Sequence, residues 1–217
     1  MLIEGRGLWL ADTNCYVVAA GRGSPCVIVD APPDVAGIEA LVAAHDLIPV
    51  ALLATHGHVD HAGGGAVATG YGIGAYLHPA DEFLALDPAS QLRMLFGQPM
   101  TELAEAFRFP TGYTALAAGD KLDLAGVSIE VMHTPGHTPG HCCFSVADEG
   151  VLFSGDQLFA GSIGRTDLPG GDLPTLVESM RQVLELDDAT RVLPGHGPPT
   201  SVRRERLTNP FRNLWEG

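Results

Sequence analysis

Three imidazoles and one carboxylate lie within six positions of this chain, in residues 55–61, which read THGHVDH. This segment directly follows a short apolar run, residues 50–54, that is typical of a buried strand. Open α/β sheets hold their sites beyond the carboxyl ends of strands, which is where this order puts the polar cluster. Histidine and aspartate side chains gathered on a turn suit metal binding better than a core or a helix cap. The segment therefore predicts a metal-binding turn.

Three more polar residues follow predicted strands in the second half of the chain. His137 lies in a rigid Thr-Pro-Gly-His turn, Asp156 ends an apolar run, and His196 lies in a Pro-Gly-His-Gly turn. With the first cluster they form a donor set of five imidazoles and two carboxylates without a thiolate. The seven candidate ligands are His56, His58, Asp60, His61, His137, Asp156 and His196.

Seven donors are too many for one ion. A four- or five-coordinate metal takes three or four protein ligands, so this set predicts two divalent ions with one shared group. Asp156 is the candidate bridge because a carboxylate has two oxygens. On spacing alone, His56 and His58 can face one ion while Asp60 and His61 turn towards another. Zinc is the expected metal, and iron or manganese suits the same ligands.

The chemistry expected of such a centre is hydrolysis. Metal ions lower the pKa of a bound water from about 15.7 towards about 7, which supplies hydroxide at neutral pH. Asp60 and Asp156 are the candidate catalytic residues because they can also orient this nucleophile. The sequence has no Gly-x-Ser-x-Gly, Walker or dinucleotide-binding motif, which disfavours serine hydrolases and nucleotide cofactors. His133 and His141 flank the second ligand turn and are expected to support it.

The elements that position these residues follow from the apolar patterning. Strands are predicted at residues 1–10, 15–20, 26–30, 50–54 and 73–78, and then at 121–124, 127–133, 142–146, 151–156 and 190–193. Helices are predicted after Asp34, near 66–70, after Pro79 and over 173–186. Strands that end in polar turns recur in both halves. The pattern favours a sandwich of two sheets with helices outside and the metals at one rim, formed as one domain over 1–217.

Two places allow two interpretations each. Asp30 ends an apolar strand, so it either forms a turn or faces the same site as His56. Residues 87–110 lack a clear period but contain Met94 and Phe96. They are predicted to form either a partly apolar lid over the site or ordinary packing against a sheet.

Composition narrows the possible partners and locations. The formal net charge is −14, which argues against binding to the phosphate backbone of nucleic acids. No apolar run approaches membrane-spanning length and no secretion signal is recognisable, so no membrane association and a cytoplasmic location are expected. The four cysteines lack a CxxC spacing and are predicted as small buried strand residues. The oligomeric state is left open.

Taken together, the THGHVDH segment, the Thr-Pro-Gly-His turn, Ser-Gly-Asp at 154–156 and Pro-Gly-His-Gly resemble the metallo-β-lactamase superfamily. This resemblance implies an α/β fold, an αββα sandwich of two mixed β-sheets flanked by helices. Residues 161–172, GSIGRTDLPGGD, and 205–211, ERLTNPF, resemble the short bacterial branch of glyoxalase II-like, or hydroxyacylglutathione hydrolase-like, enzymes. Members of that branch cleave thioesters such as S-lactoylglutathione.

The resemblance also implies roles for individual residues. It implies one ion held by His56, His58 and His137, a second held by Asp60, His61 and His196, and Asp156 as the bridge. Hydroxide would attack the thioester carbonyl, and a thiolate whose parent thiol has a pKa of about 8.5 leaves without a strong general acid. Arg165 and Asp167 are expected to form an internal ion pair that supports the metal turn, with contact between Arg165 and the substrate as the alternative.

Three functions follow from this sequence. The first is a dinuclear-metal hydrolase whose partner is a small-molecule thioester. The thiol is left open, because larger glyoxalase II enzymes grip glutathione with a C-terminal helical domain and this chain has only the short basic segment 203–206. The second is a persulfide dioxygenase, an oxidoreductase of the same fold that uses one iron. The third, a metal-binding protein without catalysis, is disfavoured by seven intact ligands.

Overall fold

A computed structural model describes residues 1–98 and 100–216, so Pro99 and Gly217 lie outside the described residues. Within these ranges, two six-stranded mixed sheets form the centre of the protein. The first sheet runs in chain order, with two antiparallel pairings followed by three parallel ones. Its strands are β1 (Leu2–Leu8), β2 (Thr13–Ala19), β3 (Pro25–Val29), β4 (Ile48–Leu53), β5 (Gly74–Leu77) and β6 (Thr114–Ala115).

The second sheet has one parallel pairing, and its other described pairings are antiparallel. Its strands are β7 (Lys121–Leu124), β8 (Val127–His133), β9 (Cys142–Val146), β10 (Val151–Gly155), β13 (Arg191–Pro194) and β14 (Thr200–Ser201). Their order across the sheet is β14-β13-β10-β9-β8-β7. A small hairpin lies apart from both sheets and consists of β11 (Leu158–Phe159) and β12 (Ser162–Ile163).

Helices cover the outer faces of the sheets. They are α1 (Val35–Ala44), α2 (Val59–Ala62), α3 (Ala66–Tyr71), α4 (Glu82–Ala85), α5 (Pro88–Phe96), α6 (Thr101–Ala106), α7 (Leu173–Leu184) and α8 (Val202–Thr208), with 3-10 turns at Pro79–Asp81, Ala147–Glu149 and Arg212–Leu214. Capping aspartates begin the longer ones. Asp34 accepts a hydrogen bond from the Gly37 N–H at 2.9 Å, and Asp172 accepts one from the Thr175 N–H at 2.9 Å.

Alternating side chains divide the core into layers. In β2, Val17 packs towards Ile38 of α1, whereas the next residue, Val18, packs between the two sheets against residues such as Phe144. A third apolar cluster holds α7 on the second sheet through residues such as Met180. These layers form helix, sheet, sheet and helix, which confirms the predicted αββα sandwich.

Some predicted elements differ in the structure. The metal-binding turn contains a short helix at Val59–Ala62, where no glycine or proline interrupts the chain. Residues 87–110 contain α5 and α6, and Leu92 and Ala104 pack against Val59, although Pro99 of this segment is outside the described residues. Patterning also missed the short strands β6, β11, β12 and β14 and the helix α8, since two-residue strands carry too little periodicity.

Other expectations concern the whole chain. All four cysteines are buried free thiols, as predicted. None of the helices in the described part of the chain is long and apolar enough to cross a bilayer. The single domain over 1–217 stays a prediction.

The C-terminal helix is fastened to the small hairpin by one buried carboxylate. Glu205 of α8 has no exposed surface and accepts hydrogen bonds from the Gly161 N–H at 2.9 Å, the Asn209 amide at 2.8 Å and the Thr200 hydroxyl at 2.5 Å. A buried carboxylate requires such partners because its desolvation is otherwise uncompensated. Glu205 therefore anchors the segment that leads into Gly164 and Arg165.

Replacing Glu205 by alanine should lower the free energy of unfolding by about 2–3 kcal/mol, because buried donors lose their acceptor. Urea denaturation of metal-free protein measures this change. Glu178→Ala is the matched control, since the Glu178 side chain is 67% exposed, and its effect should stay within about 0.5 kcal/mol. Equal effects of the two substitutions would contradict the anchoring role.

Candidate metal centre

The structure brings all seven candidate ligands together at one rim of the sandwich. Four of them follow β4, one lies in the turn between β8 and β9, and two follow β10 and β13. The parallel pairing of β10 with β13 brings Asp156 beside His196. The seven are His56, His58, Asp60, His61, His137, Asp156 and His196.

Three buried histidines form a first group. The Nδ1 atom of His58 lies 3.0 Å from Nε2 of His56 and 2.9 Å from Nε2 of His137. One nitrogen from each ring thus points at a common position, as three ligands of one ion do.

An aspartate and two histidines form a second group, which is more open to solvent. Nε2 of His196 lies 3.2 Å from Oδ2 of Asp60 and 3.3 Å from Nε2 of His61. Nε2 of His61 is 3.4 Å from the same Asp60 oxygen. The His196 side chain is 30% exposed and that of Asp60 is 19% exposed, so this group faces the cleft described below.

Asp156 lies between the two groups. Its Oδ1 is 3.3 Å from His61 Nε2, and its Oδ2 is 3.6 Å from the Nε2 atoms of both His137 and His196. Oδ1 is buried and has no hydrogen-bond partner among the described residues. A carboxylate in this position can serve both groups at once.

Asp30 determines which ring nitrogens are free to bind. Its buried carboxylate accepts hydrogen bonds from the Thr55 N–H at 2.7 Å, the Thr55 hydroxyl at 2.9 Å and Nδ1 of His61 at 2.8 Å. Because the Thr55 hydroxyl gives its one hydrogen to Asp30, its oxygen accepts from Nδ1 of His56 at 3.0 Å. Both histidines therefore carry hydrogen on Nδ1, and each can present a lone pair on Nε2.

The same logic applies to His137 and tests whether a cation fits. Nδ1 of His137 donates to the Arg165 carbonyl oxygen at 2.7 Å, which leaves a lone pair on Nε2. The Nε2 lone pairs of His56 and His137 both face Nδ1 of His58 at about 3 Å, and this nitrogen can donate at most one hydrogen, while Oδ1 of Asp156 stays unpaired. At least one of these lone pairs therefore lacks a hydrogen-bond donor, which a cation would compensate, so the residues present fit divalent metal ions.

The ionisation states of His56, His58, Asp60 and Asp156 agree with ligand chemistry. Burial, followed by neighbouring imidazoles, holds the pKa of His56 well below its ordinary value and lowers the pKa of His58 to about 3, so both rings are neutral. Burial favours a raised pKa for Asp60 and Asp156, but the adjacent His61 outweighs it and the pKa of each lies well below the usual range. Burial favours a lowered pKa for His61, but Asp156, Asp60 and Asp30 raise its pKa above the ordinary value, so a metal ion bound by His61 would replace the proton on Nε2.

Asp81, which lies at the start of the helix predicted after Pro79, joins the two ligand turns. Its carboxylate accepts from the Gly57 N–H at 2.9 Å in the first turn. It accepts from the Thr138 hydroxyl at 2.6 Å and the Gly140 N–H at 2.5 Å in the second. Burial raises its pKa. Nothing local identifies this role, because its partners are 24 and 57–59 residues away.

Three further side chains support the ligands. Gln91 of α5 accepts from the Val59 N–H at 2.8 Å and donates to the Gly57 carbonyl at 3.2 Å. The Thr13 hydroxyl donates to Asp60 at 2.9 Å. His141 accepts from the Asp156 N–H at 3.1 Å, in line with its expected supporting position.

Arg165 and Asp167 lie differently from the expectation. They form two hydrogen bonds, of 2.7 and 2.6 Å, but their side chains are 60% and 68% exposed, so the pair is not internal. Support for the metal turn comes instead from the Arg165 backbone carbonyl, which accepts from His137. His78 stacks on His133 with ring centroids 4.0 Å apart, outside the donor cluster.

A cleft of about 680 Å³ opens above the ligands. Donors from both groups form its floor, including His58, His137, Asp60 and His196. Apolar side chains line its walls, and sequence patterning did not associate most of them with the site. These are Trp9, Phe83, Leu84, Met94, Leu95 and Leu168.

Asp30→Asn should weaken metal binding about 10- to 100-fold, which is the usual effect of removing a hydrogen-bond partner of a metal ligand. The amide would turn a donor towards the Thr55 hydroxyl or His61, which moves hydrogen onto a ligating nitrogen. Zinc competition against a chelator measures the affinity. Asp148→Asn, at an exposed position, is the control and should bind like the wild type. Unchanged affinity in Asp30→Asn would contradict the proposed control of the tautomers.

Asp156→Ala should reduce occupancy of both metal positions, whereas His196→Ala should mainly reduce one. The reason is that Asp156 contacts residues of both groups and His196 belongs to the second. Elemental analysis of the purified variants gives the metal content per chain. Retention of two metals in Asp156→Ala would rule out a bridging role.

Proteins of known sequence are similar to this chain. The chain is 38% identical over 171 residues to hydroxyacylglutathione hydrolase GloC of Haemophilus influenzae, covering 77% of this chain and 78% of that protein. It is 37% identical over 205 residues to the probable metallo-hydrolase YqgX of Bacillus subtilis, covering 93% of each.

Solved structures are also similar to this chain, in fold as well as in sequence. The BLEG-1 B3 metallo-beta-lactamase superposes with a TM-score of 0.87 at 35% identity, covering 97% of this chain and 99% of that one. TTHA1623 in a di-iron-bound form gives 0.82 at 36% identity, covering 96% and 99%. ETHE1 from Myxococcus xanthus gives 0.77 at 23% identity, covering 99% and 88%, a likeness of fold. The family model of the metallo-beta-lactamase superfamily matches residues 8–196, and the chain belongs to this superfamily.

Proposed function

We propose that this protein is a dinuclear-metal hydrolase that cleaves thioesters of small thiols. The observation that carries the proposal is the sharing of Asp156 between two complete ligand groups at the floor of an open cleft. Thioester hydrolysis as the reaction is supported by the relative GloC, which is a hydroxyacylglutathione hydrolase. Two metals are supported by the di-iron-bound form of TTHA1623.

In this proposal, His56, His58 and His137 would hold one ion, Asp60, His61 and His196 would hold the other, and Asp156 would contribute to both sites. Zinc is the proposed metal. When bound, the ions supply Lewis acidity that lowers the pKa of water and polarises the thioester carbonyl.

The chain's own side chains orient the reactants. Asp60 and Asp156 are ionised and can accept hydrogen bonds from the attacking water, which directs its lone pair towards the carbonyl. The Thr13 hydroxyl holds Asp60 in place. Apolar side chains such as Phe83 and Leu84 line the cleft and exclude bulk water around the thioester. The leaving thiolate is stable enough to depart without a protein acid.

The rival function is the persulfide dioxygenase. It needs one iron, two histidines and an aspartate, a subset of the donors assembled here. The fold of ETHE1 is shared, and at 23% identity this likeness concerns fold alone. The donor set is compatible with both functions, so the preference for the hydrolase is supported by the 38% identity to the hydroxyacylglutathione hydrolase GloC.

The deciding experiment combines metal analysis with two assays on the same purified protein. S-lactoylglutathione hydrolysis is followed as loss of the thioester, and oxygen uptake is followed with glutathione persulfide. Two metals per chain with thioester loss, abolished in Asp156→Ala, is the expected result. One iron per chain with oxygen consumption would overturn the proposal, and neither activity would favour a metal-binding protein without catalysis.

A further inference from the structure

The walls of the cleft offer apolar surface to a ligand. Phe83, Met94 and Leu95 line it and are 51%, 54% and 59% exposed. Exposed apolar side chains grouped in a cleft are a common sign of ligand contact, because each is stabilised when a ligand removes it from water. A substrate in this cleft thus gains most from apolar surface of its own.

The charges in the cleft do not favour an anionic ligand. Among the described residues that line it, Arg165 is the only lysine or arginine, and its guanidinium is already bound at two atoms by Asp167. Asp87 and Asp167 add negative charge near the walls. Bound metal ions would add positive charge at the floor of the cleft, where the thioester carbonyl must lie. They would therefore not attract charged groups of the thiol that lie farther from the carbonyl.

We propose, on the basis of the thioester hydrolase function above, that the preferred thiol lacks carboxylates and carries apolar surface. Asp167 acts as a specificity determinant because it occupies the guanidinium of Arg165, which would otherwise bind a substrate carboxylate at two points. The apolar part of the thiol packs on Phe83, Met94 and Leu95. In the reaction, water adds oxygen to the acyl carbon, the carbon–sulfur bond breaks, and a carboxylate, a thiol and a proton result.

The first test compares S-lactoylglutathione with its diethyl ester, which differ only in the two carboxylates. The diethyl ester should be hydrolysed with a kcat/KM about tenfold higher, because it has no carboxylates for the acidic wall of the cleft to repel. An equal or lower value for the diethyl ester would overturn the inference.

The second test frees the guanidinium. Asp167→Asn should raise kcat/KM for S-lactoylglutathione several-fold and leave the diethyl ester nearly unchanged. Asp46→Asn is the matched control, because Arg22 and Asp46 form an equally exposed pair away from the cleft, with 63% and 67% exposure. An equal change in kcat/KM for S-lactoylglutathione in both variants would contradict the role of Asp167 in specificity.

The third test concerns the apolar wall. Leu95→Ser should lower kcat/KM several-fold for the lactoyl thioester of phenylmethanethiol, an uncharged aromatic thiol. Leu207→Ser is the control, because Leu207 is 58% exposed and does not line the cleft. Equal values for the two variants would contradict packing of the thiol against this wall.

A binding measurement separates this inference from the proposed function. S-benzylglutathione and its diethyl ester contain no thioester, and calorimetry gives the affinity of the metal-loaded protein for each. If no thioester is hydrolysed but the diethyl ester binds more tightly, the proposed function fails while the preference of the cleft stands. If S-lactoylglutathione is hydrolysed and the acid form binds more tightly, the inference fails while the hydrolase function stands.

Discussion

The buried carboxylate of Asp30 is the contact on which both halves of the candidate metal centre depend. It accepts a hydrogen bond from His61 directly and orients His56 through the Thr55 hydroxyl. This one carboxylate thus decides which ring nitrogen is free to bind metal in one histidine of each ligand group. The parallel pairing of β3 and β4 brings Asp30 beside Thr55. Asp30 has a φ of +59°, a left-handed conformation that aspartate tolerates better than most residues. The fold thus holds Asp30 in a strained backbone conformation beside the histidines that its carboxylate orients.

Two other carboxylates extend this arrangement across the sandwich. Asp156 comes from the second sheet and meets ligands that follow β4 of the first. Asp81 links the two ligand turns through backbone donors, without being a ligand candidate itself. The close approach leaves no room for larger residues, since a Cβ atom on Gly195 would lie 2.6 Å from the His61 ring. Packing and ligand geometry are therefore set by the same contacts.

The sequence predicted the ligand types and most strands well, because both are local properties. Histidines after an apolar run identify a site, and apolar patterning identified β7, β8 and β9 with their observed bounds. It could not predict the roles of Asp81 or Gln91, whose partners in the ligand turns are 24 or more residues distant. It also predicted an internal ion pair at Arg165 and Asp167, which was wrong, since both side chains are exposed. Their exposure depends on how the loop packs, and charge spacing does not reveal that packing.

Sharing of Asp156 by two metal ions is the central proposal, and anomalous diffraction from crystals of the metal-loaded protein tests it directly. The predicted result is two anomalous peaks about 3.5–4 Å apart, each in contact with a different oxygen of Asp156. One peak would lie among His56, His58 and His137, and the other among Asp60, His61 and His196. A single fully occupied peak, or two peaks of which only one contacts Asp156, would contradict the account.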